Sequence, residues 1–278
     1  MPLLADLIDV LDSWYDPGWA EAWDAVGLVC GDPVESVDRV LLAVDPVPAT
    51  VSEAISGGSQ LLVTHHPLLL TAVHGVPADD PKGALVHRMI RAGVAHFVAH
   101  TNADVADPGV SDALAERIGL TGLRPLIPSG DQRGSGRVGE LAAPMSLREF
   151  TARVAGRLPA TAWGVRSAGD PERVVCTVAV CGGSGGSYAE DAVRARADAF
   201  VTADLKHHAT VEAVTERGPG AMALVDAAHW ATEAPWLDVA AARLRQHFGT
   251  NVDVRVSRIV TDPWTVHAPS TESSHDRT

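Results

Sequence analysis

Short runs of apolar residues alternate along this chain with stretches in which apolar positions recur every three or four residues. The first pattern predicts buried strands and the second predicts helices. Leu4, Leu7, Ile8 and Leu11 share one face of an N-terminal helix. RVLLAVD (39–45) then reads as a strand, PATVSEAISGG (48–58) as a helix ending on glycines, and QLLVT (60–64) as a second strand. A helix around KGALVHRMIRAG (82–93) and the strand VAHFVAH (94–100) follow. The same rhythm returns with strand VVCTVAVC (174–181), helix SYAEDAVRARA (187–197) and strand AFVT (199–202). Helix HHATVEAVTERG (207–218) and strand AMALVDA (221–227) complete it. Both series run strand, helix, strand ending in Val-Thr, helix, glycine, strand, which points to a structural duplication.

Strands and helices alternating at this length imply an α/β fold, here two similar interlocked α/β lobes with mostly parallel sheets. Residues 1–125 plus 225–265 are assigned to the first lobe and 126–224 to the second. Between the two series, LRPLIPSGDQRGSGRVGELAAP (123–144) is rich in Gly, Pro and Ser and is expected to hold a crossing loop and one strand. MSLREFTARVAGRL (145–158) reads as a helix with Ser146 as N-cap and Glu149 at capping-box spacing. Beyond Trp264 the chain is polar and unpatterned, so 266–278 is read as a disordered tail.

Composition narrows the class. Of 278 residues 46% are hydrophobic and 21% charged, an ordinary soluble balance long enough to bury a core. The formal net charge of −13 argues against nucleic acid held through the bulk field, because phosphate contacts need clustered Lys and Arg. Cys30, Cys176 and Cys181 are too few and too scattered for a disulfide framework or a zinc ribbon and read as reduced thiols. The N-terminus carries acids where a signal peptide would be basic, and no apolar run is long enough for a membrane span. The expectation is a cytoplasmic protein with no membrane partner.

In open α/β sheets ligands collect beyond the carboxyl ends of the strands, and the polar residues of this chain gather there. LLVTHHPLLL (61–70) runs from a buried strand into His65 and His66, two imidazoles that point different ways and so suit two neighbouring ions. VAHFVAHTNADVADPG (94–109) ends in His100, Thr101, Asn102 and Asp104; Asp104 is a candidate bridging carboxylate, and His100 a ligand or the orienter of one. In ALVDAAHWATEAP (223–235), His229 and Glu233 are four apart and share a helix face. Each has an ordinary alternative: loop hydrogen bonds, an Asx turn, an i,i+4 pair. Taken as three strand ends of one sheet they offer three histidines and two carboxylates, an N/O set that suits Zn, Mn, Fe, Co or Ni in an open two-metal site.

Two further stretches flank these. AVCGGSGGSYAED (179–191) places Gly182, Gly183, Ser184 and Gly185 between a strand and a helix. Such a loop either presents backbone N–H groups to a phosphate or needs glycine for its own turn. VTADLKHHATVEA (201–213) sets Asp204, Lys206, His207 and His208 after the matching strand end of the second series. Lys206 and His208 would bind an anion or pass protons if the halves face each other, and otherwise sit on a solvated helix start.

WDAVGLVCGDP (23–33), VTHHPL (63–68), AHTNAD (99–104), CGGSGGS (181–187), VTADLKHH (201–208) and DAAHWATE (226–233) together resemble the dinuclear-metal-centre family named after a yeast NGG-interacting factor. Its members are often labelled GTP cyclohydrolase 1 type 2 homologs, and the resemblance covers roughly 4–260. It implies that His65, His66, Asp104, His229 and Glu233 ligate two divalent ions, and that the chain forms a toroidal homohexamer. Two departures stand out: Ala228 where glycine is usual before the histidine, and Ala203-Asp204 where Gly-Glu or Gly-Asp is common. The leading functional expectation is a metal-dependent hydrolase of a small phosphorylated or nucleotide-like substrate, with His208, Lys206 or His100 moving protons or holding an anion. The alternative is a non-enzymatic metal-handling, chaperone-like or regulatory protein. Purine recognition has no dedicated signal in the sequence.

Overall fold

The computed structural model describes residues 1–130, 132–213 and 220–268. Its architecture is mixed α/β with two sheets. The first sheet has the order β1 (Gly27–Cys30), β4 (Ala95–Val98), β3 (Leu61–Thr64), β2 (Arg39–Ala43) and β11 (Asp253–Val256), with only β1 antiparallel to its neighbour. The second has the order β5 (Leu120–Gly130), β6 (Arg133–Ser146), β8 (Val174–Val180), β9 (Ala199–Thr202), β10 (Ala223–Ala227) and β7 (Val165–Ala168). There only β8–β9 and β9–β10 are parallel. "Mostly parallel" therefore holds for the first sheet and not for the second. At the centre of each lies the expected repeat, two helices linking three parallel strands: α2 (Pro48–Ser56) and α3 (Pro81–Arg91) in one, α7 (Ala189–Arg194) and α8 (His207–Val211) in the other. The predicted continuation of α8 to 218 falls partly on residues 214–218, outside the described residues.

Strand periodicity decides which layer each side chain joins. Val40, Leu42 and Val44 enter the large central core, while Leu41 and Ala43 face the outer cluster beneath α2 and α3. In the second sheet Val178 and Val180 point to the centre, and Ala179 and Cys181 to an outer cluster with Phe200 and Leu224. The inner layer is helical. α9 (His229–Phe248) packs on β2 and β11, α5 (Val110–Ile118) packs on β5, β6 and β8, and the two helices pack on each other. α1 (Leu4–Trp14) buries Leu4, Leu7 and Leu11 in the same core, with Ile8 half-buried. Among the described residues no helix is long and apolar enough to cross a membrane.

The segment 123–144 departs from expectation. It is not a crossing loop with one strand but most of a long antiparallel hairpin, β5 with β6. Its prolines and glycines occupy irregularities of that ladder: the register shifts at Thr121/Arg124 and at Pro128/Gly130. α6 (Leu147–Arg157) does begin on the predicted capping box, Ser146 N–H donating to Glu149 Oε2 at 2.9 Å while Ser146 Oγ accepts from Glu149 N–H at 3.2 Å. Of the expected disordered tail, 269–278 lie outside the described residues.

One buried ion pair locks the hairpin to the helical layer. Arg137, 1% exposed, donates from Nε to Asp112 Oδ1 at 2.5 Å and from its other nitrogens to the carbonyls of Gly134, Gly136 and Ala106. Asp112 Oδ2 in turn accepts from Gly109 N–H at 2.8 Å, at the start of α5. A buried charge left without its partner is strongly destabilising. Arg137→Ala is expected to cost about 3–5 kcal/mol of stability in denaturant or thermal unfolding, with Asp112→Ala comparable; a change below about 1 kcal/mol would contradict this role.

Candidate metal centre

Three strands deliver the chemistry. β3 ends at Thr64 and leads into His65-His66; β4 ends at Val98 and leads through Ala99 to His100 and the short helix α4 (Thr101–Val105) that carries Asp104. β10 leads into α9, which opens on His229 and carries Glu233 one turn later. β3 and β4 belong to the first sheet and β10 to the second. The three strand ends thus come from two sheets, not one, and the candidate ligands lie where the sheets meet.

Glu233, 3% exposed, stands at the centre. His229 Nε2 is 2.9 Å from its Oε1, His65 Nε2 3.5 Å from the same oxygen, and His66 Nε2 3.1 Å from Oε2. Asp104 is half-buried at the edge, its Oδ1 3.8 Å from His65 Nε2. Two groups of possible ligands overlap at His66: His65, His66 and His100, and His66, His229 and Glu233. Within each group the ligand atoms lie within 4.8 Å of one another.

Every one of these rings is held by its other nitrogen. His65 Nδ1–H donates to the Ala99 carbonyl at 2.9 Å. His66 Nδ1 meets Asp45 Oδ1 at 2.7 Å, His100 Nδ1 meets Asp24 Oδ1 at 2.8 Å, and His229 Nδ1 meets Asp204 Oδ2 at 2.7 Å. A proton fixed on Nδ1 leaves the Nε2 lone pair of the neutral ring to face a metal, and a histidine ligand nearly always donates its other N–H to a carboxylate or carbonyl in this way. The residues also fit an ion on a second count: buried Glu233 Oε2 has no hydrogen-bond partner among the described residues, and its nearest cationic neighbour is His66 Nε2 at 3.1 Å. Such a carboxylate oxygen needs a cation.

Without an ion, the charges compensate among themselves. Burial alone would raise Glu233, but His66, His65 and His229 together hold its carboxyl well below the usual range. Burial opposes a charge on His66, yet Glu233 and Asp45 push it up to about 11; Glu233 and Asp204 likewise raise half-buried His229 to about 9. Burial raises the carboxyl of Asp104. Around the centre, burial lowers His96 to about 4, so it is neutral. It hydrogen-bonds Thr64 Oγ1 at 2.8 Å, and that hydroxyl donates to the His66 carbonyl at 2.8 Å, steadying the doubled histidine. Asn102 Oδ1 accepts from His100 N–H, and its amide donates to the Tyr15 carbonyl, fixing the loop before Asp104.

The glycine loop lies directly over the ligands. A Cβ on Gly183, whose φ is +66°, would come within 2.4 Å of Glu233 Oε1 and 3.0 Å of His229 Nε2. One on Gly185 would meet Cys181 Cβ and Thr202 Oγ1 at 2.5 Å. The N–H groups of Gly182, Gly183 and Gly185 donate to Ser111, Thr232 and Thr202 hydroxyls. Close approach thus explains the glycines, with those N–H groups already engaged; Ser184 lines the neighbouring cavity. Lys206 and His208 are exposed around the start of α8 and line neither cavity beside the ligands. Those cavities lie on two sides of the cluster, with His229 common to both. One, of about 410 Å³, is bordered by His100, Asp104, Glu233, Trp23 and Tyr188. The other, of about 280 Å³, is bordered by His66, Asp45, Asp204 and three tryptophans.

Comparison with known proteins gives the family. The profile of the Duf34/NIF3 (NGG1p interacting factor 3) family matches residues 2–263. The chain belongs to that family. A Streptomyces coelicolor protein called GTP cyclohydrolase 1 type 2 homolog is 52% identical over 99% of this chain and 98% of its own length. A Mycobacterium bovis protein of the same name is 38% identical over 94% and 96%. Among solved structures, Staphylococcus aureus hypothetical protein SA1388 superposes with a TM-score of 0.86 at 28% identity, covering 95% of this chain and 99% of that one. A Bacillus cereus protein related to NIF3 shares the fold, with a TM-score of 0.86 at 23% identity and coverage of 95% and 99%.

The two departures from the family pattern are accommodated locally. Ala228 has extended backbone (φ −64°, ψ 136°) that requires no glycine. At Ala203-Asp204 the left-handed residue is Asp204, φ +56°, a conformation aspartate tolerates, and it is this residue that orients His229. The sequence reading missed Asp24 and Asp45 as orienting groups, and took Asp204 only as part of a loop. Their signal was an Asp near a strand or turn whose histidine partner lies far along the chain.

His66 and His229 both carry a proton near neutral pH in the metal-free chain, since about 11 and about 9 lie above it. Ligation must displace those protons. Calorimetric titration with Zn²⁺ in buffers of different ionisation enthalpy is expected to show proton release on binding, with affinity falling as pH is lowered; proton-neutral uptake would contradict the assignment. Gly183→Ala is expected to lower bound metal in elemental analysis. Gly156→Ala, where a Cβ meets nothing within 4 Å, is the control that leaves it unchanged.

Proposed function

We propose that this chain is a metal-dependent hydrolase with two divalent ions, held by His65, His66, Asp104, His229 and Glu233, acting on a small nucleotide-like substrate. The observation that carries the reading is the set of three imidazoles among those ligands, each pinned at Nδ1 and leaving Nε2 for an ion, next to an open cavity. A closed structural site would have no such cavity. A metal pair supplies Lewis-acid polarisation of the scissile group and a water of lowered pKa. The protein's own residues do the rest. Glu233 lies within reach of three imidazoles and would hold the ions together with them. His100, with Asp24 holding its Nδ1, borders the cavity and would use its remaining nitrogen to take or return a proton.

The cavity walls offer serine hydroxyls and two aromatic rings, and among the described residues no Lys or Arg lines either cavity. A phosphate would therefore be held by the ions rather than by side chains. Lys206 and His208 keep a role in this proposal only if an assembly brings α8 to the mouth of a site. The toroidal homohexamer and the cytoplasmic setting belong to the same proposal. Protein purified without chelators, loaded with metal and offered a panel of nucleotides and phosphoesters is expected to hydrolyse at least one of them. His66→Ala should abolish that turnover. Activity surviving loss of His66 would refute the reading, and exchangeable metal with no turnover across the panel would favour a metal-handling protein instead.

A further inference from the structure

The smaller cavity is built unlike the larger one. Its wall includes Trp163 and Trp264, with ring centroids 5.7 Å apart and planes inclined by 37°. Trp264 is 60% exposed, an unusual position for a large ring. The polar groups on the rim are acceptors. Asp204 is exposed and commits only Oδ2 to His229; Asp262 commits Oδ1 to the Trp264 N–H at 2.9 Å. Trp163 Nε1 is buried without an acceptor among the described residues and offers nothing to the cleft, while the Arg166 guanidinium lies 4.5 Å over the Trp163 ring. His66 and His229 border the same space.

We propose that this cleft binds a flat nitrogen heterocycle bearing an exocyclic amino group, stacked on Trp264 and placed beside the metal-binding imidazoles. Each alternative ligand fails on one wall. An anion would meet Asp204 and Asp262, and among the described residues no Lys or Arg lines the cleft to balance it; Arg166, stacked over Trp163, is paired with Asp226. A purely apolar ring would leave the carboxylates unpaired. An amino-substituted heterocycle supplies N–H donors for the carboxylates and a π-face for Trp264. The volume of about 280 Å³ suits one such ring system.

The segment carrying Asp262 and Trp264 is also tied to the ligand set. The Thr261 hydroxyl hydrogen-bonds Asp45 Oδ2, while Asp45 Oδ1 holds His66. The wall of the cleft and one metal ligand therefore share a carboxylate. As the recognition end of a substrate the ring rests on the hydrolase reading; its binding does not.

Calorimetry on the metal-loaded full chain tests the inference with two pairs of nucleosides, guanosine against inosine and cytidine against uridine. The amino-bearing member of each pair is expected to bind about tenfold more tightly. Trp264→Ala should weaken that binding about tenfold or more, in the range for loss of one base–aromatic stack. Trp264→Phe should retain most of it, with metal content unchanged in both. Absence of binding by all four nucleosides, equal affinity within each pair, or affinity unchanged in Trp264→Ala would overturn the proposal. Turnover with a KM indifferent to Trp264→Ala would sink the cleft and leave the hydrolase standing. Amino-selective binding without turnover would do the reverse.

Discussion

A carboxylate buried to 3% exposure cannot remain charged without cations around it, and Glu233 is that carboxylate. The meeting of the two sheets is organised about it. Two of its surrounding imidazoles come from the end of β3 in one sheet, and the third arrives with α9 from β10 in the other. The first sheet by itself supplies His65, His66, His100 and Asp104 but neither His229 nor Glu233. α9 is then doubly constrained: its first turn must hold His229 and Glu233 on one side, and its later turns must pack Trp236, Leu237, Ala240 and Leu244 into the core. The i,i+4 spacing satisfies the first demand and the helix period satisfies the second.

Around that centre the fold spends carboxylates on orientation. Asp24, Asp45 and Asp204 each accept from the Nδ1 of a different histidine, and a backbone carbonyl does the same for His65. The partners differ in how firmly they are themselves held. Burial would raise the Asp24 carboxyl, but hydrogen bonds from His100 and Thr101 outweigh it and keep it well below the usual range. Asp204 is exposed and left-handed, held on a loop rather than in the core. His229 is accordingly the ligand with the least rigid support, and it is the one shared by both cavities.

Much of this was legible in the sequence because it is local. Apolar runs ending in His65-His66, in His100 and before His229 identify strands and the residues beyond them, and the repeat of strand and helix is visible without any knowledge of pairing. What failed was non-local. Nothing in AMALVDA shows that β10 pairs with β7 and β9 rather than joining β2–β4. The hairpin was obscured because Pro125, Pro128 and the glycines at 130, 134 and 136 break the alternation by which strands are recognised, although they sit in an irregular ladder. The orienting aspartates were hidden for the same reason: Asp24 is 76 residues from His100, and Asp45 is 21 from His66. An aspartate near a turn carries no local mark of the imidazole it will meet.

The glycine loop shows how a motif can be read for the wrong property. Its resemblance to a phosphate cradle rests on free N–H groups, yet three of them are engaged by Ser111, Thr232 and Thr202. What glycine contributes here is the missing Cβ. At Gly183 a methyl group would occupy the space between the loop and Glu233 and His229, so the loop can lie against the first turn of α9 only while that position stays bare. Ala203, whose N–H donates to the Gly183 carbonyl at 3.0 Å, and Thr232, whose hydroxyl accepts from Gly183, clamp the loop at that height from two elements. The loop therefore belongs to the candidate metal centre through its backbone and its smallness, and Ser184 is the side chain it presents to the cavity beside it.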